Sequence, residues 1–209
     1  FNIMLSKKKQ GAYIKKRIDY IKIQFSNFCL QQDPEAIHQL RVELKKLNAL
    51  LIFINECNRS KKSIPHLKSL EKLHKKAGQI RKSQLLQSTI ERYQISNVNT
   101  EIISLNNTSQ LITELIDKQS FYIKEIELFE KNYKRYLVDI KNKKNQTVIK
   151  KAIKKLHHVF TKGGSENQLH SSRKKIKSLI FIQKILPQKL VFLFNFDLKY
   201  LKEIENEIG

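Results

Sequence analysis

Three residue types suited to holding an oxyanion recur in the same pattern twice in this 209-residue sequence. His38, Arg41 and Lys45 lie in DPEAIHQLRVELKKLNALL, and His170, Arg173 and Lys177 lie in NQLHSSRKKIKSLIFIQ, each pair 132 residues apart. A guanidinium offers phosphate oxygens a planar fork and an ammonium adds a mobile point charge, while an imidazole can donate to phosphate in either neutral tautomer. An unconstrained solvated face has no reason to keep residue type and phase together. The recurrence therefore reads as a duplicated anion-binding stripe.

Each stripe needs a helix to display it. At about 100° per residue from His38, Arg41 falls near 300° and Lys45 near 340°, whereas Leu40, Leu47, Leu51 and Ile54 fall between about 160° and 220°. Basic and apolar residues thus take opposite sides, with Lys46 flanking the basic one. In the second copy Phe181 falls near 20°, close to the basic line, so the two stripes need not contribute equally. The repeat extends further: Gly78 follows His38 by 40 residues and Gly209 follows His170 by 39, while Leu70 pairs with Leu201 and Leu73 with Ile204 at an offset of 131. Two related helical halves are expected, about 1–100 and 108–209. Repeat one runs on into GQIRKSQLLQS, so a final helical segment is expected to be missing or disordered after Gly209.

Scarce Gly (5) and Pro (3), with Leu, Ile, Lys and Glu at spacings of three and four, predict helices almost throughout. The first runs from about Lys8 to Leu30, with Tyr13, Ile14, Ile18, Ile21, Phe25 and Phe28 on one side. Asp33 and Pro34 start the second, Asp as N-cap and Pro at the first helical position. A polar break, NRSKKSIP, precedes a long helix beginning near His66, in whose interior Gly78 predicts the close approach of another backbone. Ser96 to Ser109 is expected to be the main surface connection between the halves. Helix then resumes from about Gln110 to Ile140, followed by a break at Lys141 to Gln146 and a short amphipathic helix ending before Gly163 and Gly164. Ser165 caps the helix carrying the second stripe, Pro187 ends it near Leu186, and a last helix starts around Phe196 or Asp197.

The formal charge of +22, from 41 basic and 19 acidic residues, makes polyanions the first partners to consider. Nucleic acid, anionic membrane and polyphosphate all satisfy such a field. Two cysteines without Cys-x-x-Cys spacing argue against a disulfide framework or structural zinc, and point to a reducing cytoplasm. No segment approaches the roughly 18 continuous apolar residues of a spanning helix, and no membrane partner is expected. The six histidines form no His-x-x-x-His pair, so neither a metal nor another cofactor is expected. Glu203, Glu205 and Glu207 at two-residue spacing point in different directions from a helix and read as solvated. With no P-loop, dinucleotide fingerprint or nucleophile elbow, no enzyme is expected.

HQLRVELKKLNALL with GQIR about 40 residues on, and LHSSRKKIKSLIFIQKIL with LKEIENEIG, resemble the two halves of the conserved histidine α-helical domain, CHAD. The resemblance covers nearly the whole chain. It implies an all-α fold of two helical bundles related by a pseudo-twofold axis, with the motif helices lining a basic groove or pore. It further implies non-enzymatic binding of long-chain inorganic polyphosphate and, in some members, association with polyphosphate granules. The positions matching the family's ligand residues are His38, Arg41, Lys45 and Lys46 in the first half, His170, Arg173, Lys174 and Lys177 in the second, and Arg81 from GQIR. This sequence departs from the family pattern at Lys82, where an acid is frequent, and at Asn48 and Ser178, where further arginines occur. The Glu-x-Glu-x-Lys signature of the triphosphatase domain often fused to the family is absent. A nucleic-acid backbone is the alternative ligand for the same basic surface.

Overall fold

A computed structural model of the chain describes residues 4–58, 64–94, 98–187 and 198–207, with the backbone alone for 98–107 and 198–200. The helical reading holds: eight α-helices account for nearly all of these residues, namely α1 (Lys7–Gln31), α2 (Pro34–Asn58), α3 (Leu67–Tyr93), α4 (Val98–Asp117), α5 (Gln119–Asn132), α6 (Asn142–Thr161), α7 (Glu166–Gln183) and α8 (Leu198–Glu207). A 3-10 turn spans Tyr133–Tyr136, and two-residue strands β1 (Met4–Leu5) and β2 (Ile140–Lys141) pair antiparallel. None of the described helices is long and apolar enough to cross a membrane.

The chain packs as two compact units. One comprises Lys15–Lys45 and Ser63–Tyr136, and the other Phe1–Ile14, Lys46–Lys62 and Leu137–Gly209. They are interleaved along the chain, with α1 and α2 contributing to each, whereas the sequence repeat divides the chain in order.

In the 15–45/63–136 unit the periodic residues of α1 do what their spacing implies: Ile18, Ile21, Phe25 and Phe28 are fully buried or nearly so. Phe25 meets Tyr122 of α5 edge to face at 6.1 Å, and Phe129 stacks near Tyr133. Asp33 opens α2 as expected, its carboxylate accepting from the backbone N–H groups of Glu35 (2.9 Å) and Ala36 (3.2 Å). Arg17 and Glu43 form an ion pair of 2.7 Å with side chains only 11% and 7% exposed.

Two segments read as breaks are helical. Val98 to Ser109 belongs to α4, which packs on α3, where the hydroxyls of Ser83 and Thr108 meet. Tertiary packing outweighs the modest propensities of Asn, Ser and Thr. The helix expected from Gln110 to Ile140 is interrupted instead at Lys118, which separates α4 from α5.

In the other unit, Gln10 is buried and bridges two segments, its Nε2 donating to Leu5 O (2.9 Å) and Val138 O (2.7 Å). Residues 142–146, also read as a break, form the first turn of α6. Asn145 is fully buried there, donating to Ile140 O and lying 3.8 Å from Cys57 Sγ, so the polar run is anchored rather than looped out. Ala152 and Leu156 of α6 pack with Ile176, Leu179 and Ile180 of α7, and Leu201 and Ile204 of α8 close on this cluster. Ser165 caps α7 in a capping box with Gln168. The expected start of the last helix lies outside the described residues.

Candidate anion-binding site

Arg41 projects from α2 toward α3 and lies beside Gly78. A Cβ at residue 78 would stand 3.4 Å from Arg41 Nη2 and 3.6 Å from its Cζ, an ordinary van der Waals contact, so the guanidinium packs closely along this turn of the helix. The close neighbour of Gly78 is therefore a side chain, not the backbone that its place inside a helix predicted. Arg41 and His74 line an open cleft of about 600 Å³ with Lys75, Gly78, Gln79 and Lys82. The cleft lies within the 15–45/63–136 unit.

The electrostatics of this cluster are one-sided. Arg41 Nε and His74 Nε2 are buried, and neither has a hydrogen-bond partner among the described residues. Burial, and then the like charge of Arg81, push the Arg41 guanidinium below its usual pKa, although an arginine in a protein stays charged. Burial, then Arg41 and Lys45, push His74 down to about 4. At neutral pH this cluster therefore holds a neutral imidazole among cations, with polar atoms still to be satisfied. Buried polar groups without partners are costly, and an incoming anion would relieve that cost.

The second stripe is arranged differently. On α7, Arg173 Nε donates to Glu205 Oε1 (2.9 Å) and to Glu205 O (3.1 Å), and Lys177 Nζ lies 2.9 Å from the same carboxylate oxygen. Burial acts to raise the Glu205 pKa, but the hydrogen bonds and charges of Lys177 and Arg173 outweigh it and hold the carboxyl below its ordinary range. Glu205 is 14% exposed. The reading of this glutamate as solvated is corrected: α8 packs on α7 and turns it onto the basic stripe.

Of the residues singled out in the sequence, Arg41 comes within electrostatic reach of Arg81, Arg41 and Lys45 both come within reach of His74, and Arg173 and Lys177 meet on Glu205. His38 is partly buried one turn before Arg41, while His170 and Lys174 are exposed on α7. Lys46 belongs to the other packing unit from Arg41. That unit also carries a lysine-rich cleft of about 690 Å³, lined by Lys143, Lys144, Lys151 and Lys155 with Lys175, which is tied to Glu56. His74 and Glu205 had no place in the sequence motif. The offset of 131 that pairs Leu70 with Leu201 would have found both, because it also pairs 74 with 205.

A family model for the CHAD domain matches residues 12–120, just over half of the sequence. The chain belongs to the CHAD family. A search of curated proteins gives no match. Among solved structures, the CHAD domain from the plant Ricinus communis matches this CHAD chain over its whole length and over 75% of the plant chain, with 13% identity and a TM-score of 0.78. At that identity the likeness establishes the fold.

The state of His74 carries a pH prediction for this CHAD chain. Its folded pKa of about 4 lies below the ordinary 6.5, so between those values the unfolded chain binds more protons. Stability is fully present above about pH 6.5 and falls as pH drops toward 4. Allowing for partial exposure, His74 should account for a loss of about 1–2 kcal/mol between pH 7 and pH 5. Urea unfolding at the two pH values should show that loss shrinking in His74→Gln. An identical pH dependence in the variant would mean that the imidazole is not held neutral.

Proposed function

We propose that this chain is a non-enzymatic binder of inorganic polyphosphate that engages the polymer through its His-x-x-Arg-x-x-x-Lys helices. The observation that carries the reading is Arg41, whose buried Nε meets no acceptor and whose guanidinium lies along Gly78 in a cleft shared with His74 and bordered by Lys75 and Lys82. An anion with several phosphoryl oxygens supplies what this cluster lacks, namely acceptors and negative charge. The net charge of +22 adds long-range attraction for a polyanion. The CHAD resemblance implies the same ligand, and binding at polyphosphate granules would follow from it.

Titration with long-chain polyphosphate should give saturable binding that weakens about tenfold or more between roughly 50 and 200 mM salt as counterions are released and recaptured. Polyphosphate should displace bound RNA or DNA far more readily than either displaces polyphosphate. No saturable binding at moderate salt would sink the proposal. Preferential retention of nucleic acid would replace it with a backbone-binding role on nucleic acid.

A further inference from the structure

The two copies of the repeat differ at a position that lies near the arginine of each. The offset pairing Leu70 with Leu201 and Leu73 with Ile204 pairs His74 with Glu205. In one packing unit this position holds an imidazole whose Nε2 is buried without a partner, within electrostatic reach of Arg41. In the other it holds a carboxylate that accepts from Arg173 Nε and pairs with Lys177 Nζ, each at 2.9 Å.

We propose that the residue at this position decides which basic stripe is open to an anion: His74 leaves Arg41 open, and Glu205 shuts the Arg173–Lys177 stripe by filling it with an internal carboxylate. The inference rests on the reading of the chain as a polyphosphate binder. Carboxylate and phosphoryl oxygens are acceptors of one class, so they compete for the same donors, and a carboxylate already in place neutralises the charge that would draw in a phosphate. Glu205 is tethered beside its cations, which gives it a high effective concentration. Arg173 Nε is further held by the backbone carbonyl of Glu205, so an entering phosphate has two acceptors to displace. His74 offers no such competition. The duplicated motif then yields one working phosphate site and one closed site in each chain.

Isothermal titration with inorganic tripolyphosphate, too short to span many contacts, tests this. The wild-type chain should bind about one equivalent, Glu205→Gln about two, and Glu205→Gln with Arg173→Ala about one again. Arg41→Ala in the otherwise wild-type chain should bind none, which tests the claim independently should Glu205→Gln disturb folding, as monitored by circular dichroism. The inference is overturned by two equivalents in the wild type, by no added site in a folded Glu205→Gln variant, or by a full equivalent retained in Arg41→Ala. It is equally overturned if the wild type holds long-chain polyphosphate but no tripolyphosphate. Failure to bind either polymer would instead defeat the polyphosphate reading itself.

Discussion

Arg41→Ala should weaken long-chain polyphosphate binding by about 10- to 100-fold at fixed moderate salt, whereas Arg173→Ala should weaken it less than about threefold. Charge-assisted hydrogen bonds contribute about 1.5–3 kcal/mol, and 1.4 kcal/mol is a factor of ten in affinity. Arg41 has a buried Nε with no acceptor among the described residues, and the side chain lines an open cleft, so this donor is unspent where a ligand could enter. Arg173 already donates to both the side chain and the backbone of Glu205. Arg41→Lys should be intermediate, since it keeps the charge but loses the planar fork. The same Arg41→Ala change should leave the melting temperature unchanged or raise it, because it removes a partly buried cation that feels the like charge of Arg81. Fluorescence titration and a thermal melt on the same samples check both halves. Equal losses for Arg41→Ala and Arg173→Ala would contradict the assignment, and a collapse in stability for Arg41→Ala would make its role structural.

The largest effect on stability is expected at Arg17. Its ion pair with Glu43 is 2.7 Å long and nearly removed from water, and Arg17 also lies over the Tyr20 ring at 5.3 Å. Breaking a buried pair by removing one partner costs about 3–5 kcal/mol, chiefly because the remaining charge loses its compensation. Arg17→Met should therefore lower unfolding free energy by about 3 kcal/mol, since it takes a 2.7 Å cationic partner from a carboxylate that is only 7% exposed. Arg17→Met combined with Glu43→Leu should recover most of the loss, since a well-packed apolar pair can match a buried ion pair. Urea midpoints for the two single variants and the double variant give the coupling directly. Additive losses in that cycle would mean that the two side chains stabilise the unit independently.

Much of the architecture was legible because it is written locally. The three- and four-residue spacing of Ile14, Ile18, Ile21, Phe25 and Phe28 dictates α1, and those five residues are all fully buried or nearly so. Asp33-Pro34 and Ser165 announce the starts of α2 and α7 through side-chain chemistry that operates within four residues. The misreadings share a cause. Ser96 to Ser109 is rich in Asn, Ser and Thr and Lys141 to Gln146 is polar throughout, yet α4 is held on α3 and Asn145 is buried beside Ile140 and Cys57, so packing decides what composition does not. Conversely, Gln110 to Ile140 reads as one continuous helix, but the chain turns at Lys118 and passes into a 3-10 turn at Tyr133.

The site divides in the same way. By itself the sequence determined the all-α class, the family, and the duplicated His-x-x-Arg-x-x-x-Lys stripes, because type and spacing along a helix fix which residues share its face. Only the tertiary structure decided that the two stripes differ in charge balance. Arg173 and Lys177 meet a glutamate about 30 residues further along the chain, on a helix packed across them. Arg41 instead lies against Gly78 and shares a cleft with the half-buried His74. Whether a cation is open to a ligand depends on what folding brings against it and how much water that contact removes, and neither quantity is encoded in the spacing of one helix.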